Sequence, residues 1–382
     1  MRKILSIMLV LMLALSIAAC GQTEAPASNP APASEAPAAD APAVEETPLE
    51  VLDLAISGHP APHSLPNTVG LAKGTFEEYG LNVTNTYYIS GLSQMEAAPS
   101  GTWECGICGI PPTINGTLNY GVNILGFSIY DDAPQYLFVR EDSKIYQAGQ
   151  GHVEGYPDLY GTPDDWRGAT ILMPKGTTAH VLTLATLDAL GLTEDDVNIV
   201  HMEVPAAAQA FRSGEGDVMA QWSTFTFAAL EEGYKPVSTA AWVGLNLPSP
   251  ILATDAALAN NSEAVQRYVS ETVANLQWIL DEGNREEMTQ IYMDMAEEEG
   301  VAISEEAIEW ILDTHHIPTI EELEALCEVD PATGLNGFQQ QVSTVMDFLI
   351  RAGSYDESQK EAVLARVNTE YMVNAIAAYK AN

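Results

Sequence analysis

An α/β fold with parallel strands is predicted by two features of residues 166–233. Short β-branched or apolar runs, Ala169 to Met173, Val197 to His201 and Asp217 to Trp222, alternate with helix-length segments. Each helix also carries its own stops. The first opens at Thr177 or Thr178 and ends at Gly191; the second has Pro205 in its first turn and Gly214 past its end; the third opens at Ser223 or Thr224 and ends before Gly233. Caps and periodicity agree along the whole segment, so it anchors the reading of the rest.

The chain begins with Arg2 and Lys3, an apolar run from Ile4 to Leu15, and small residues up to Ala19 before Cys20. This is the pattern of a signal peptide, and the run is too short for a comfortable membrane span. A cysteine directly after small residues resembles the lipobox of bacterial lipoproteins, with Ile17 where leucine is commonest. The resemblance implies that Cys20 is lipidated, carrying palmitate-type acyl chains, and becomes the first residue at the extracytoplasmic face of a bacterial cell membrane. Residues 20–48 are Ala, Pro, Ser, Glu and Thr with almost nothing to bury, and read as a disordered tether.

From Leu49 on the chain is globular and long enough for two medium lobes. Its 53 acidic and 15 basic residues give a net charge of −38. Such a balance argues against nucleic acid and against direct adhesion to anionic lipid. It does not exclude an anionic ligand, because backbone N–H groups act locally while diffuse charge is screened over about 10 Å.

Leu49 to Ser57 reads as a strand that opens into Gly58-His59-Pro60-Ala61-Pro62-His63, and strand ends of this kind are where open α/β sheets hold ligands. Ser57 and His59 are therefore contact candidates ahead of His63. Two histidines four apart would share a metal on a helix, but Pro60 and Pro62 forbid a helix between them. A helix over Leu65 to Tyr79 and a strand over Leu81 to Tyr88 follow. Trp103 to Cys108 is a short strand ending at Gly109, with Pro111 at the start of a helix running to Tyr120. Cys105 and Cys108 read as buried thiols, with a local disulfide as the alternative. Val122 to Tyr130 and Gln135 to Arg140 are strands, and residues 141–166, rich in Gly, Tyr, Asp and Pro, form an insertion longer than a usual connection. Its Tyr146, Tyr156 and Tyr160 are either a lid or a surface excursion. Val237 to Ala241 and Pro248 to Thr254 are strands, Trp242 between them is a cleft or core residue, and the remainder is helical, with cap signals at Ser262, Ser304, Thr319 and Ser354. His315 and His316 read as an exposed polar pair.

The turn Pro174-Lys175-Gly176-Thr177-Thr178-Ala179-His180 offers free N–H groups, hydroxyls and the positive end of a helix dipole to one point. The run around it resembles the second-lobe segment of the substrate-binding proteins of nitrate, aliphatic sulfonate and taurine ABC transporters. The matching residues are Gly176 to His180, Gly191-Leu192 with Asp195-Asp196-Val197, Ala210 to Asp217, and Gln221-Trp222. A first-lobe match covers Leu71 to Val83, and Gly109-Ile110-Pro111-Pro112 echoes a further family motif. The resemblance covers residues 51–255 in order. It implies a two-lobed, type II periplasmic-binding-protein-like fold with two parallel or mixed sheets flanked by helices. Residues 49–140 and 250–382 would form lobe 1, residues 141–249 lobe 2, and the C-terminal helices would pack on lobe 1. The hinges would lie near Tyr130 to Arg140 and Leu247 to Thr254.

On that reading the ligand-binding residues are Ser57, Gly58, His59, Ile110, Pro111, Thr177, Thr178, His180, Trp222 and Ser223. The partners are a small-molecule ligand and an ABC permease, and the chain is a monomer with no metal and no cofactor. No nucleophile–base set or nucleotide motif emerges. The enzymatic alternative, similarity to pyrimidine synthases of thiamine biosynthesis, needs a lysine-bound cofactor, and Lys73 and Lys175 show no partner in the sequence. The expected ligand is a sulfonate, nitrate or similar small anion such as bicarbonate, held by Thr177, Thr178 and the N–H groups with His180 as a further donor and Trp222 on its apolar part; a thiamine-precursor pyrimidine or other aromatic heterocycle is the alternative.

Overall fold

The computed structural model describes residues 49–131 and 133–381; the leader, Cys20 and the tether lie outside the described residues. The first half of the fold runs β1 (Leu52–Gly58), α1 (Leu65–Lys73), α2 (Thr75–Glu78), β2 (Leu81–Tyr87), α3 (Gly91–Ala97), β3 (Cys105–Ile107), α4 (Ile110–Asn119) and β4 (Val122–Tyr130). The chain continues through β5 (Tyr136–Val139), α5 (Lys144–Ala148), α6 (Pro163–Trp166), β6 (Thr170–Met173), α7 (Thr178–Ala189), β7 (Asn198–His201), α8 (Val204–Arg212), β8 (Val218–Gln221), α9 (Ser223–Glu231) and β9 (Lys235–Thr239). It returns on β10 (Pro248–Thr254) and ends in α10 (Asp255–Asn260), α11 (Ser262–Leu280), α12 (Arg285–Glu298), α13 (Glu305–Thr314), α14 (Ile320–Cys327), α15 (Gly337–Arg351), α16 (Glu357–Leu364) and α17 (Glu370–Ala381).

Two mixed five-stranded sheets result, ordered β2-β1-β3-β10-β4 and β7-β6-β8-β5-β9. In each, four strands share one direction and the strand that crosses between sheets runs against them: β10 is antiparallel to β3 and β4, and β5 to β8 and β9. Because β5 pairs inside the second sheet, the second lobe starts before β5, not at residue 141, and the chain crosses within 131–135. All nine residues of β4 are buried, as its apolar run requires of a strand covered on both faces.

The expected helix over Leu65 to Tyr79 is two helices, broken at Gly74, whose φ of 71° suits glycine and ends α1. The C-terminal helices cover the first sheet: α11 packs on α1 and α17, α17 on β4, and α16 on α4. Phe338 of α15 sets its ring edge-on to Phe127 of β4, centroids 4.9 Å apart. Two of them reach across: Trp310 of α13 meets Phe227 of α9 at 5.9 Å, and Arg351 of α15 lies 3.9 Å from Asp188 of α7. Residues 141–166 fold onto the second sheet instead of over a cleft. Tyr160 donates its N–H to Val237 and stacks between Tyr146 (5.2 Å) and Trp242 (6.2 Å). Cys105 and Cys108 are buried free thiols.

One carboxyl is buried in the first lobe's helical layer. Glu271 of α11 is fully buried; its Oε1 accepts from Thr75 Oγ1 (2.6 Å) and Asn275 Nδ2 (2.5 Å), while Oε2 has no hydrogen-bond partner among the described residues. Burial pushes its carboxyl up to about 8, against the two hydrogen bonds that favour the charged form. The folded state therefore prefers the protonated acid, and stability is lost as pH rises from the ordinary 4.5 through about 8. Glu271→Gln should remove that loss. Its melting temperature should stay level between pH 6.5 and 8.5 while that of the wild type falls, measured by circular dichroism; parallel curves would contradict a buried acid here.

Candidate functional site

A cleft of about 600 Å³ opens between the two sheets. Its walls are strand ends and helix starts from both. The first lobe supplies the loop after β1 (His59, Pro60, Ala61, His63), the loop after β2 (Tyr87 to Gly91), and Gly109 and Pro112 at the start of α4. The second supplies Thr177 and Thr178 at α7, Glu203 and Pro205 at α8, and Trp222, Ser223 and Phe225 at α9. Asp131, at the crossing, and residues 299–302, between α12 and α13, complete it.

The helix starts differ in what they offer. In α4 two of the first three residues are Pro111 and Pro112, which have no N–H, so that end is poor in donors. In α7 the N-cap Thr177 does not cap: its hydroxyl donates to the Pro174 carbonyl at 2.7 Å. The first-turn N–H groups of Thr178, Ala179 and His180 are thus left without an intrahelical partner. The two starts approach closely, since a Cβ placed on Gly109 would lie 3.3 Å from Thr178 Cγ2.

Of the residues singled out from the sequence, His59, Thr177, Thr178, Trp222 and Ser223 line this cleft and five do not. Ser57 is fully buried beneath it, donating to the Cys105 carbonyl and accepting from Gln94 Nε2 at 2.8 Å. Gly58 packs against Ser64, whose Oγ would lie 2.6 Å from a Cβ there. Ile110 and Pro111 turn into the core, because about 100° of rotation per residue brings the N-cap and third residue to the cleft and carries the two between them inward. His180 is occupied elsewhere: Nδ1 accepts from Gly176 N–H (3.1 Å) and Nε2 meets Glu194 (2.9 Å). Trp242 and the three tyrosines of the insertion also lie outside the lining. Lys73 and Lys175 do have partners, Glu287 and Glu194.

What the sequence reading missed is a buried polar chain. Asp131, 5 % exposed, accepts from Ser223 Oγ at 3.2 Å, and its Oδ1 also faces His315 Nε2 at 3.2 Å. His315 is thus buried rather than exposed, its Nδ1 on the Ile311 carbonyl at 2.7 Å; His316 alone is exposed, near Glu322. On the other side, Asp131 Oδ2 lies 4.0 Å from His63 Nδ1, and His63 Nε2 lies 2.7 Å from His59 Nδ1. The prolines rule out a helix between these histidines, yet a 3-10 turn at Pro62–Ser64 brings the rings together. Among the described residues no group of three ligating side chains is arranged to hold a metal.

Ser223 has a φ of 35°, the one positive value outside glycine among the described residues. Strain of this kind costs about 1–3 kcal/mol and persists where surroundings hold it; here its N–H is tied to the Pro134 carbonyl and its hydroxyl to Asp131. Serine, histidine and aspartate do not form a catalytic relay. A relay needs hydroxyl and carboxylate on opposite ring nitrogens, and here both approach Nε2.

Burial, then the His63 charge, lowers His59 to about 3; burial likewise lowers His63. Asp131 is raised by burial but more than offset by His315 and His63, and ends below its usual range. All three shifts have one sign: stability is full above about 6.5 and is lost as pH falls, each unit inside a histidine's window costing about 1.4 kcal/mol. In His59→Gln the fall in melting temperature between pH 7 and 4.5 should be shallower than in the wild type. Identical acid limbs in thermal melts would show that His59 is not held neutral.

No protein-family model matches the chain. A protein of Brachyspira hyodysenteriae described as an ABC transporter periplasmic binding protein is 27 % identical over 216 residues, 56 % of this chain and 62 % of that one. The taurine-binding periplasmic protein of Escherichia coli is 27 % identical over 180 residues, 47 % of this chain and 51 % of its own. The chain thus spans between half and two thirds of these relatives' lengths. The periplasmic nitrate-binding protein NrtA of Synechocystis superposes with a TM-score of 0.69 at 14 % identity, covering 87 % of this chain and 90 % of that one. In sequence the chain is a homologue of ABC-transporter periplasmic binding proteins, and in fold it is their neighbour.

Proposed function

We propose that this protein is an extracytoplasmic solute-binding lipoprotein, anchored through Cys20, monomeric, and delivering a small organic ligand to an ABC permease. The observation that carries the reading is the cleft between the sheets, where loops of one lobe face helix starts of the other. Its volume of about 600 Å³ suits an organic molecule rather than an inorganic ion such as nitrate.

The lining narrows the ligand further. It contains Tyr87, Tyr88, Trp222 and Phe225, the carboxylates Asp131, Glu203 and Glu299, and, among the described residues, no lysine or arginine. Aromatic walls without a cation favour an uncharged or cationic aromatic heterocycle, such as a thiamine-precursor pyrimidine. The second reading, an organic sulfonate, is favoured by the uncapped first turn of α7, where a helix dipole contributes about 0.3–1 kcal/mol to an anion. Catalysis is not part of the proposal.

Thermal-shift screening of residues 49–382 against pyrimidine precursors, thiamine, taurine, alkanesulfonates, nitrate and bicarbonate tests the reading. A true ligand at 100 times its Kd stabilises by about 2.7 kcal/mol, a shift of several degrees. Thr178→Ala should weaken a sulfonate about tenfold and leave a heterocycle held by Trp222 nearly unaffected; no shift with any compound would sink the reading. Cys20→Ser should move the protein from the membrane to the soluble fraction of a bacterial host, and retention in the membrane would refute the anchor.

A further inference from the structure

We propose that His59 selects the ligand of this cleft as a neutral hydrogen-bond acceptor, so that a ligand must present an N–H or O–H group to its Nε2. The proposal deepens the binding role given above and rests on it.

The argument is a relay of proton positions. Three groups act on the histidine pair, Asp131 at the end of β4, His315 at the end of α13 and the Ser90 carbonyl before α3, and Ser223 at the start of α9 reaches it only through Asp131 and His315. Asp131 Oδ1 is taken by Ser223 and His315, which leaves Oδ2 toward His63 Nδ1 at 4.0 Å. A carboxylate there favours the proton on Nδ1 and disfavours a lone pair. His63 Nε2 then carries its lone pair, and at 2.7 Å from His59 Nδ1 the two nitrogens share one proton, which must sit on His59. The remaining nitrogen of His59, Nε2, is a bare acceptor.

That nitrogen is buried and has no hydrogen-bond partner among the described residues, although the ring, 7 % exposed, lines the cleft. The Ser90 carbonyl acts on the ring and raises its basicity, favouring a proton on Nε2 against the relay that places it on Nδ1, so the tautomer of His59 decides between the two. An unmet acceptor at such a depth is relieved by a donor and repelled by another lone pair. Burial holds the ring neutral, lowering it to about 3, so it does not become a cation that would attract anions at neutral pH. Sulfonate and nitrate oxygens carry only lone pairs, whereas an amino-substituted heterocycle carries the donor.

Long-range ¹H–¹⁵N correlation of histidines in the ¹⁵N-labelled protein at pH 7, without ligand, should show His59 with its proton on Nδ1. A proton on Nε2, or on both nitrogens, overturns the proposal. Asp131→Asn should mix the tautomers; should that variant not fold, the wild-type spectrum decides alone. Titration then compares 4-aminopyrimidine, pyrimidine and methanesulfonate. The expected result is that 4-aminopyrimidine moves the His59 Nε2 resonance and binds at least about tenfold tighter than pyrimidine. No response of His59 to 4-aminopyrimidine, or an equal response to methanesulfonate, overturns the proposal. The binding role itself stands if any compound of the wider screen stabilises the protein, and falls only if none does.

Discussion

Asp131 is a buried charge at the point where the chain leaves one sheet for the other, and the site is arranged around it. A carboxylate that deep is tolerated only when its oxygens are occupied. The occupants come from three places distant in sequence: Ser223 at the start of α9, His315 at the end of α13 and His63 in the loop after β1. Satisfying one charge therefore fixes a helix start in the second lobe, a helix end in the C-terminal region and a loop in the first. The strained backbone of Ser223 follows from the same demand, because its hydroxyl must face the crossing while its N–H is held by Pro134.

The first lobe carries opposite sensitivities to protons in two places. In the helical layer, Glu271 is most comfortable protonated; beside the cleft, the histidine pair and Asp131 are most comfortable at higher pH. Glu271 contributes fully only below about 4.5 and the histidines only above about 6.5, so the two contributions are never full together. The arrangement also separates the sources of any pH effect, since Glu271 lies in α11, away from the cleft lining.

Much of the architecture was legible because the strands of this fold are short apolar runs bounded by glycine and proline, and because the helices announce their starts. β4 to β10 and the second-lobe helices fall close to where periodicity and caps put them. The lobe boundary was misread because β5 looks the same whichever sheet it joins; only pairing with β8 and β9 decides. At the site, strand-end logic led to His59, Thr177 and Trp222, and the same logic applied after β2 and β4 would have reached Tyr87 to Gly91 and Asp131. Residues 299–302 and His315 carry no local signal, for they arrive by the packing of C-terminal helices onto the first sheet. Ile110 and Pro111 were one residue off in register, a distinction that helix rotation makes and sequence spacing near a cap does not.

The approach of Gly109 to Thr178 sets how near the two lobes stand at that edge. With hydrogen in place of a side chain at 109, the starts of α4 and α7 come within ordinary contact; one added methyl would already press on Thr178 Cγ2 at 3.3 Å. Hydrogen is the thinnest spacer the genetic code offers at this seam, and anything bulkier at 109 would push the starts of α4 and α7 apart along that edge.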